Sequence, residues 1–172
     1  MSVTVLYTLK SGVYQSLGCD CWDEERDART YQEGDKVICH PPCAPWGNFA
    51  WNSNQDKTLA IHGYEVITRN GGILEHPRYS KLWKHCGIPR PGEAAKEVNG
   101  RLLWSIEVYQ SSFGHRAQKA TWLAICSRET FNLKPPPYRE PTFYCQNMSK
   151  YERKKTPKRF AEFLIDALSR VT

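Results

Sequence analysis

The chain has 172 residues, 40% of them hydrophobic and 24% charged, with a net charge of +6. That balance describes one globular domain able to bury about 70% of its unfolded surface, and it excludes a disordered or low-complexity chain. No stretch approaches the ~18 uninterrupted apolar residues of a membrane helix, and residues 1–7 lack the basic region and apolar core of a signal peptide.

Residues 3–7 alternate weakly and predict a first strand. A short helix over Ser11 to Leu17 is stopped by Gly18. Residues 19–23 predict a second strand ending in acid, followed by a charged turn, Glu24 to Arg29. The third strand, 36–39, carries the wholly apolar run Val37-Ile38-Cys39, which suits a strand buried on both faces of a parallel sheet. Pro41 and Pro42 then bar both helix and further pairing, and Cys43 follows on a stiff turn at the strand's carboxyl end. Gly47 to Asn54 is a loop carrying Phe49 and Trp51. Leu59, Gly63, Val66 and Ile67 share one face of a helix over Gln55 to Arg69, which Asn70-Gly71-Gly72 ends. A buried strand at 72–75 delivers Glu75-His76-Pro77, so strand, helix and strand form a βαβ unit with a right-handed crossover.

A helix over Tyr79 to Cys86 is closed by Gly87 and Pro89, and Arg90 to Gly100 reads as polar loop. Residues 102–109 and 121–126 predict an antiparallel strand pair at one sheet edge, joined through the basic turn Phe113 to Lys119. Residues 130–150, with four prolines between Lys134 and Pro141, form an extended connector. Thr156-Pro157 opens a C-terminal helix over 156–171, with Thr156 as cap and Phe160, Phe163, Leu164, Ala167 and Leu168 on its apolar face. The expected fold is α/β: a compact, Rossmann-like three-layer sandwich with a mostly parallel sheet and an antiparallel edge pair, in a single domain over 1–172.

Seven cysteines, an odd number without the spacing of a disulfide framework, point to a reducing, cytoplasmic compartment. Zinc is the rival use for Cys19-x-Cys21, Cys39-His40 and His85-Cys86, but no C-x-x-C pair exists and no metal is expected. Lys150, Arg153, Lys154, Lys155, Lys158 and Arg159 fall within ten residues, a run that is either a solvated helix entrance or a contact for an anionic partner such as nucleic acid. Six tryptophans and nine tyrosines supply stacking surfaces or core.

His40-Pro41-Pro42-Cys43, Leu74-Glu75-His76-Pro77, and Phe113-Gly114 leading into Thr121 to Ile125 resemble, in order, motifs of the DNA cytosine-5 methyltransferases. These are the Pro-Cys nucleophile loop, the Glu-Asn-Val strand end, and the Phe/Tyr-Gly turn before a Gln-x-Arg-x-Arg strand. Thr156 to Ala161 resembles the family's late Thr-Pro-Arg-Glu helix start. The chain looks still more like small phage proteins with an HPPC turn and an FGHRA-x-KATWL strand. The resemblance implies a methyltransferase-like fold in which the Cys43 thiolate adds to carbon 6 of a pyrimidine and Glu75 holds the base at nitrogen 3 and the 4-amino group. It implies His40, Pro42, His76, His115, Arg116 and Lys119 as substrate-binding residues. It places S-adenosylmethionine near Thr8, Ser11, Gly12 and Asp23. The partner is a nucleic acid or a pyrimidine nucleotide, its base flipped out or presented single-stranded.

The chain departs from that pattern in three places. The glycine loop of the methyl-donor site corresponds to Leu6 to Gly12, with one glycine. Gln-x-Arg-x-Arg becomes Ala117 to Thr121, where Lys119 alone is charged. About thirty residues stand between Ile125 and Thr156, where the family has its target-recognition domain. S-adenosylmethionine binding is therefore expected to be weak or absent. A catalytically inactive nucleotide- or nucleic-acid-binding protein that keeps the pocket is the alternative. Without the resemblance, Glu75 is a strand-end acid paired with Arg78 or Lys81, His76 a hydrogen-bonded loop histidine, His115-Arg116 a surface turn, and His62 a helix-flank residue.

Overall fold

Thr4–Leu6 (β1) and Val37–Cys39 (β3) are buried along their whole length, so both faces of the sheet they form must be covered. The computed structural model describes residues 2–172. The remaining elements are Val13–Ser16 (α1), Asp20–Trp22 (β2), Thr58–Asn70 (α2), Gly72–Pro77 (β4), Leu82–His85 (α3), Lys96–Val98 (β5), Arg101–Tyr109 (β6), Ala120–Ser127 (β7), Lys150–Lys154 (α4) and Lys158–Ser169 (α5). Among the described residues, seven strands make one mixed sheet in the order β2-β1-β3-β4-β7-β6-β5. No helix among the described residues is long and apolar enough to cross a membrane.

The pairings β1–β2, β1–β3 and β3–β4 are parallel; β4–β7, β6–β7 and β5–β6 are antiparallel. The sheet is thus parallel at one end, and its antiparallel part is three strands rather than an edge pair. The extra strand, β5, lies in the stretch read as polar loop. Asn99 and Gly100 both take positive φ (50° and 72°), which a tight two-residue hairpin turn requires, and they bring Val98 opposite Arg101. An Asn-Gly pair is the sequence signal for such a turn.

Successive side chains on the central strands point to opposite faces. Leu6, Cys39 and Leu74 face the side covered by α2 and α3, with Ala60, Val66, Ile67, Leu82 and Trp83. Val5, Ile38 and Ile73 face the side covered by α1 and α5, with Tyr14, Phe160, Ala161 and Leu164. Leu59 lies at the margin of α2, and Ala60 takes the buried place beside Gly63. On α5, Pro157 stands at the cap position and no side chain caps the helix, one residue later than Thr156-Pro157 predicts. Helix α4 closes the predicted connector. The Ser149 hydroxyl accepts from the Glu152 amide at 3.1 Å, and the Glu152 carboxylate accepts from the Ser149 amide at 3.1 Å, a reciprocal cap encoded by Ser-x-x-Glu.

Two glycines set how closely the layers approach. At Gly63, a Cβ would meet the Tyr7 ring at 3.4 Å and Leu74 at 3.5 Å, so α2 rests nearly backbone-first on the sheet. At Gly72, φ is +146° and a Cβ would lie 2.3 Å from the Val37 carbonyl oxygen. Gly72→Ala is expected to destabilise the fold by on the order of 3 kcal/mol or more, from strained backbone plus displacement of β3. Gly92→Ala, at φ +90° with open space around it, should cost only the backbone part, about 1 kcal/mol. Urea midpoints of the two variants provide the comparison.

Candidate active site

Parallel pairing of β3 with β4, with Cys39 opposite Leu74, brings the turn His40 to Cys43 and the strand end Glu75 to Pro77 to one edge of the sheet. Glu75 continues the alternation of Ile73 and points toward the α1/α5 side. There it meets a relay of side chains. The Tyr14 hydroxyl lies 2.7 Å from His40 Nε2, and His40 Nδ1 lies 3.0 Å from Glu75 Oε2. On the other oxygen, Gln110 Nε2 donates to Glu75 Oε1 at 3.2 Å and also to Thr121 Oγ1 at 3.1 Å. Burial keeps the Tyr14 phenol protonated, and a proton on His40 Nδ1 faces Glu75 in the Nδ1–H tautomer and in the imidazolium alike.

Burial alone would raise the Glu75 carboxyl, but the hydrogen bond and charge of His40, with Lys119 adding, outweigh it and hold the group below its ordinary value. Glu75 therefore stands ionised, and it pairs with neither Arg78 nor Lys81. Arg78 is turned to Glu107, Nε to Oε2 at 3.2 Å.

Cys43 is exposed, at the start of a short 3-10 turn, Ala44–Trp46. Its thiol is pushed up, first by the protein packed around the sulfur and then by the Glu75 charge; Lys119 and Lys154 pull it back down. Lys119 in turn feels Glu75, Cys145 and Cys43, while burial lowers its own ammonium. Cys43, Glu75, Lys119 and Lys154 thus share one electrostatic locality. Lys119 sits at φ 40°, an uncommon backbone for a side chain of its size.

His76 points the other way. It is fully buried against Trp83, with ring centroids 6.0 Å apart, and neither ring nitrogen has a hydrogen-bond partner among the described residues. The Pro42 backbone is near enough to favour the protonated ring slightly, but burial dominates and lowers the imidazole to about 4. His76 is a neutral wedge under the strand end, not the hydrogen-bonded loop histidine of the plain reading. Pro42 is half-buried above it.

His115 and Arg116 do not join the Glu75 group. Arg116 stacks over Phe143 at 4.3 Å and faces Glu152 at 3.4 Å, and its carbonyl accepts from the Thr142 and Phe143 amides. His115 is buried and hydrogen-bonds locally at Ala117, Nδ1 to the amide at 3.0 Å. Both hold the connector rather than reach the site, because the Phe113–Lys119 turn projects toward residues 142–152. Tyr14 and Gln110 are the members that the sequence reading missed; neither carries a local signal.

Of the expected cofactor residues, Thr8 and Asp23 line a cleft of about 240 Å³ with Leu9, Lys10, Glu24 and Glu25. Ser11 and Gly12 lie outside it, Gly12 donating its amide to Gln15 Oε1 at 2.9 Å to open α1. The cleft does not suit S-adenosylmethionine. It is smaller than the ~300 Å³ of ordinary cofactor sites. Lys10 is already paired with Glu25, and Asp23 Oδ1 already accepts from the Glu25 and Arg26 amides at 3.1 Å. A ligand carboxylate would face Asp23, Glu24 and Glu25 without a free cation. Among the described residues, no group of three or more His, Cys, Asp or Glu is arranged to hold a metal ion.

No known family model matches the chain, and none of the curated proteins matches it.

The buried neutral His76 gives a direct pH prediction. Its folded value lies below the ordinary 6.5, so the unfolded chain binds the proton first and stability falls as pH drops from about 6.5 to about 4. His76→Phe, which keeps the ring against Trp83, should remove up to about 3 kcal/mol of that loss. The Glu75 contribution has the opposite origin: it is present above the ordinary carboxylate range and fades only as pH falls through the lowered value. Chemical denaturation between pH 4 and 7 separates the two, since the Phe variant should flatten this window while Glu75→Gln should not.

Proposed function

We propose that this chain is a minimal pyrimidine-base-modifying enzyme, DNA cytosine-5 methyltransferase-like in its motifs, that works through a Cys43 adduct. One observation carries the reading: a cysteine on an exposed turn and an ionised, hydrogen-bonded carboxylate stand at neighbouring parallel strand ends, within one electrostatic locality that includes two lysines. The order β2-β1-β3-β4, followed by β7 inserted antiparallel between β4 and β6, supports the methyltransferase-like reading of the sheet.

An ionised carboxylate only accepts hydrogen bonds, so Glu75 takes a donor on the base edge: the 4-amino group of cytosine, or N3–H of uracil or thymine. His40 and Gln110 leave each carboxylate oxygen a second lone pair for that purpose. The Cys43 thiolate adds to carbon 6, and the electron pair of the 5,6 bond moves to carbon 5. Lys119 and Lys154 favour the thiolate. Carbon 5 then takes a proton from solvent. Loss of the hydrogen it held before and expulsion of the thiolate restore the base, so the cycle exchanges the carbon 5 hydrogen without a second substrate. His40, between Tyr14 and Glu75, holds the carboxylate in place for the base edge.

One observation favours a second reading, a binding protein that no longer reacts: the Cys43 thiol is pushed up rather than down. Mass spectrometry with a 2-pyrimidinone nucleotide, an electrophilic pyrimidine, and deuterium uptake at carbon 5 of cytosine nucleotides decide between them. The enzyme reading expects a covalent mass shift and exchange, both absent in Cys43→Ser, and a rate that keeps rising with pH past the ordinary thiol range. Nucleotide binding equal in wild type and Cys43→Ser, with neither adduct nor exchange, establishes the binding protein.

The donor site generates its own expectation. Calorimetry with S-adenosylmethionine should give no heat at micromolar ligand, since several missing polar contacts at about 1 kcal/mol each weaken binding ten- to a thousandfold. Micromolar affinity abolished by Asp23→Ala would restore the methyl donor.

A further inference from the structure

We propose that the broad groove beside the β4 strand end is a binding track for single-stranded nucleic acid flanking the target base. The groove, about 950 Å³, lies on the α3 side of the sheet. Its floor is the Trp83–Trp122 pair, with centroids 5.5 Å apart, and its rim carries Arg78, Tyr79, Lys84, Arg90 and Lys96. The inference rests on the base-modifying reading above, because it assigns the polymer in which the base arrives.

Charge and shape choose the occupant. Arg78 is balanced by Glu107, at 3.2 Å. Lys84, Arg90 and Lys96 are exposed and outnumber the one remaining acid, Glu93, whose carboxylate accepts from the Arg90 amide at 2.7 Å. An anionic backbone is the complement of that rim. Tyr79 is 76% exposed, with the Arg78 guanidinium 5.1 Å from its ring centre. A flat ring held open to solvent beside a cation offers a stacking platform for a base, and only an unpaired base presents the face to use it. A duplex buries those faces, and a run of acidic side chains carries no flat group to stack on the ring.

Continuity with the candidate site supports the assignment. Arg78 follows Glu75 by three residues, roughly 10 Å at ~3.3 Å per strand residue. Glu75 and His76 point to opposite faces at the same edge, so a strand crossing that edge presents one base to Glu75 and lays its neighbours along the groove. Lys96 comes from β5 and Lys84 from α3, so the rim is assembled from separate elements rather than from one charged helix.

Fluorescence anisotropy with short labelled oligonucleotides tests the proposal, using single-stranded DNA, single-stranded RNA, the matched duplex and polyglutamate in separate arms. One of the single strands should bind tighter than the duplex and polyglutamate, and whichever is tighter identifies the sugar. Tyr79→Ala should weaken that binding about five- to a hundredfold. Lys84→Glu with Arg90→Glu should reduce affinity and lower the salt dependence by roughly 1.4 in log–log slope, two phosphate contacts at about 0.7 each. All three positions are exposed, and unchanged urea midpoints confirm intact variants. Equal single-strand binding by wild type and both variants overturns the groove, as does preference for duplex or polyglutamate. The free 2-pyrimidinone nucleotide keeps the two claims apart. A Cys43 adduct with unchanged oligonucleotide binding in the groove variants leaves the enzyme and removes the groove. Lost oligonucleotide binding in those variants without any adduct leaves the groove and removes the enzyme.

Discussion

The close parallel contact between β3 and β4 is the constraint on which the rest of the molecule depends. Gly72 stands where any side chain would strike the Val37 carbonyl, and its backbone takes a conformation that other residues avoid. From that point the register runs Ile38 opposite Ile73 and Cys39 opposite Leu74. A slip of one residue would turn Glu75 to the other face and break its contact with His40. The other edge of β4 pairs with β7 from Gly72 opposite Cys126 to Pro77 opposite Thr121, so the antiparallel half is anchored on the same strand. The site and the change of sheet direction share one support.

The two faces of the sheet solve the problem of buried polarity differently. On the α1/α5 side, a carboxylate stays ionised among groups brought from three elements: His40 from the loop after β3 and Gln110 from just past β6 bond it, and Tyr14 from α1 holds His40. Such a network holds its geometry only while its members stay partnered, since an unpaired buried charge is expensive. On the α2/α3 side, His76 gives up its charge and behaves as an aromatic wedge against Trp83. Trp122 and Glu107 then carry polarity outward to Arg78, with the indole N–H donating to Glu107 Oε2 at 2.8 Å. One strand end thereby serves a hydrogen-bonded charged network on one side and an open aromatic, cationic surface on the other.

Much of the sheet was legible in the linear order of residues, and the reasons are local. The apolar runs Val37-Ile38-Cys39 and Ile73-Leu74, cut off by proline and glycine, leave few alternatives to short buried strands. The alternation from Leu102 to Tyr109 marks a half-buried one. The placement of Cys43 and Glu75 at adjoining ends follows from two such strands linked by a helix. Strand β5 is encoded too, in Asn99-Gly100, as is α4 in Ser149-x-x-Glu152, but the polar composition around each masks the signal.

What the tertiary structure alone decided is who meets whom across long separations in the chain. Gln110 reaches Glu75, and Tyr14 reaches His40, from elements that have no spacing relation to them, and helix or strand periodicity records only neighbours within a turn or a pleat. Arg116 and His115 sit beside the site in sequence yet are drawn to Phe143, Glu152 and Ala117, because the direction of a turn is set by what packs beneath it. The states of Glu75, His76 and Cys43 likewise depend on burial and on charges brought from other elements. Local residue order therefore determined the strands and their ends, while the ionised carboxylate, the neutral histidine and the raised thiol exist only once other elements are packed beside them.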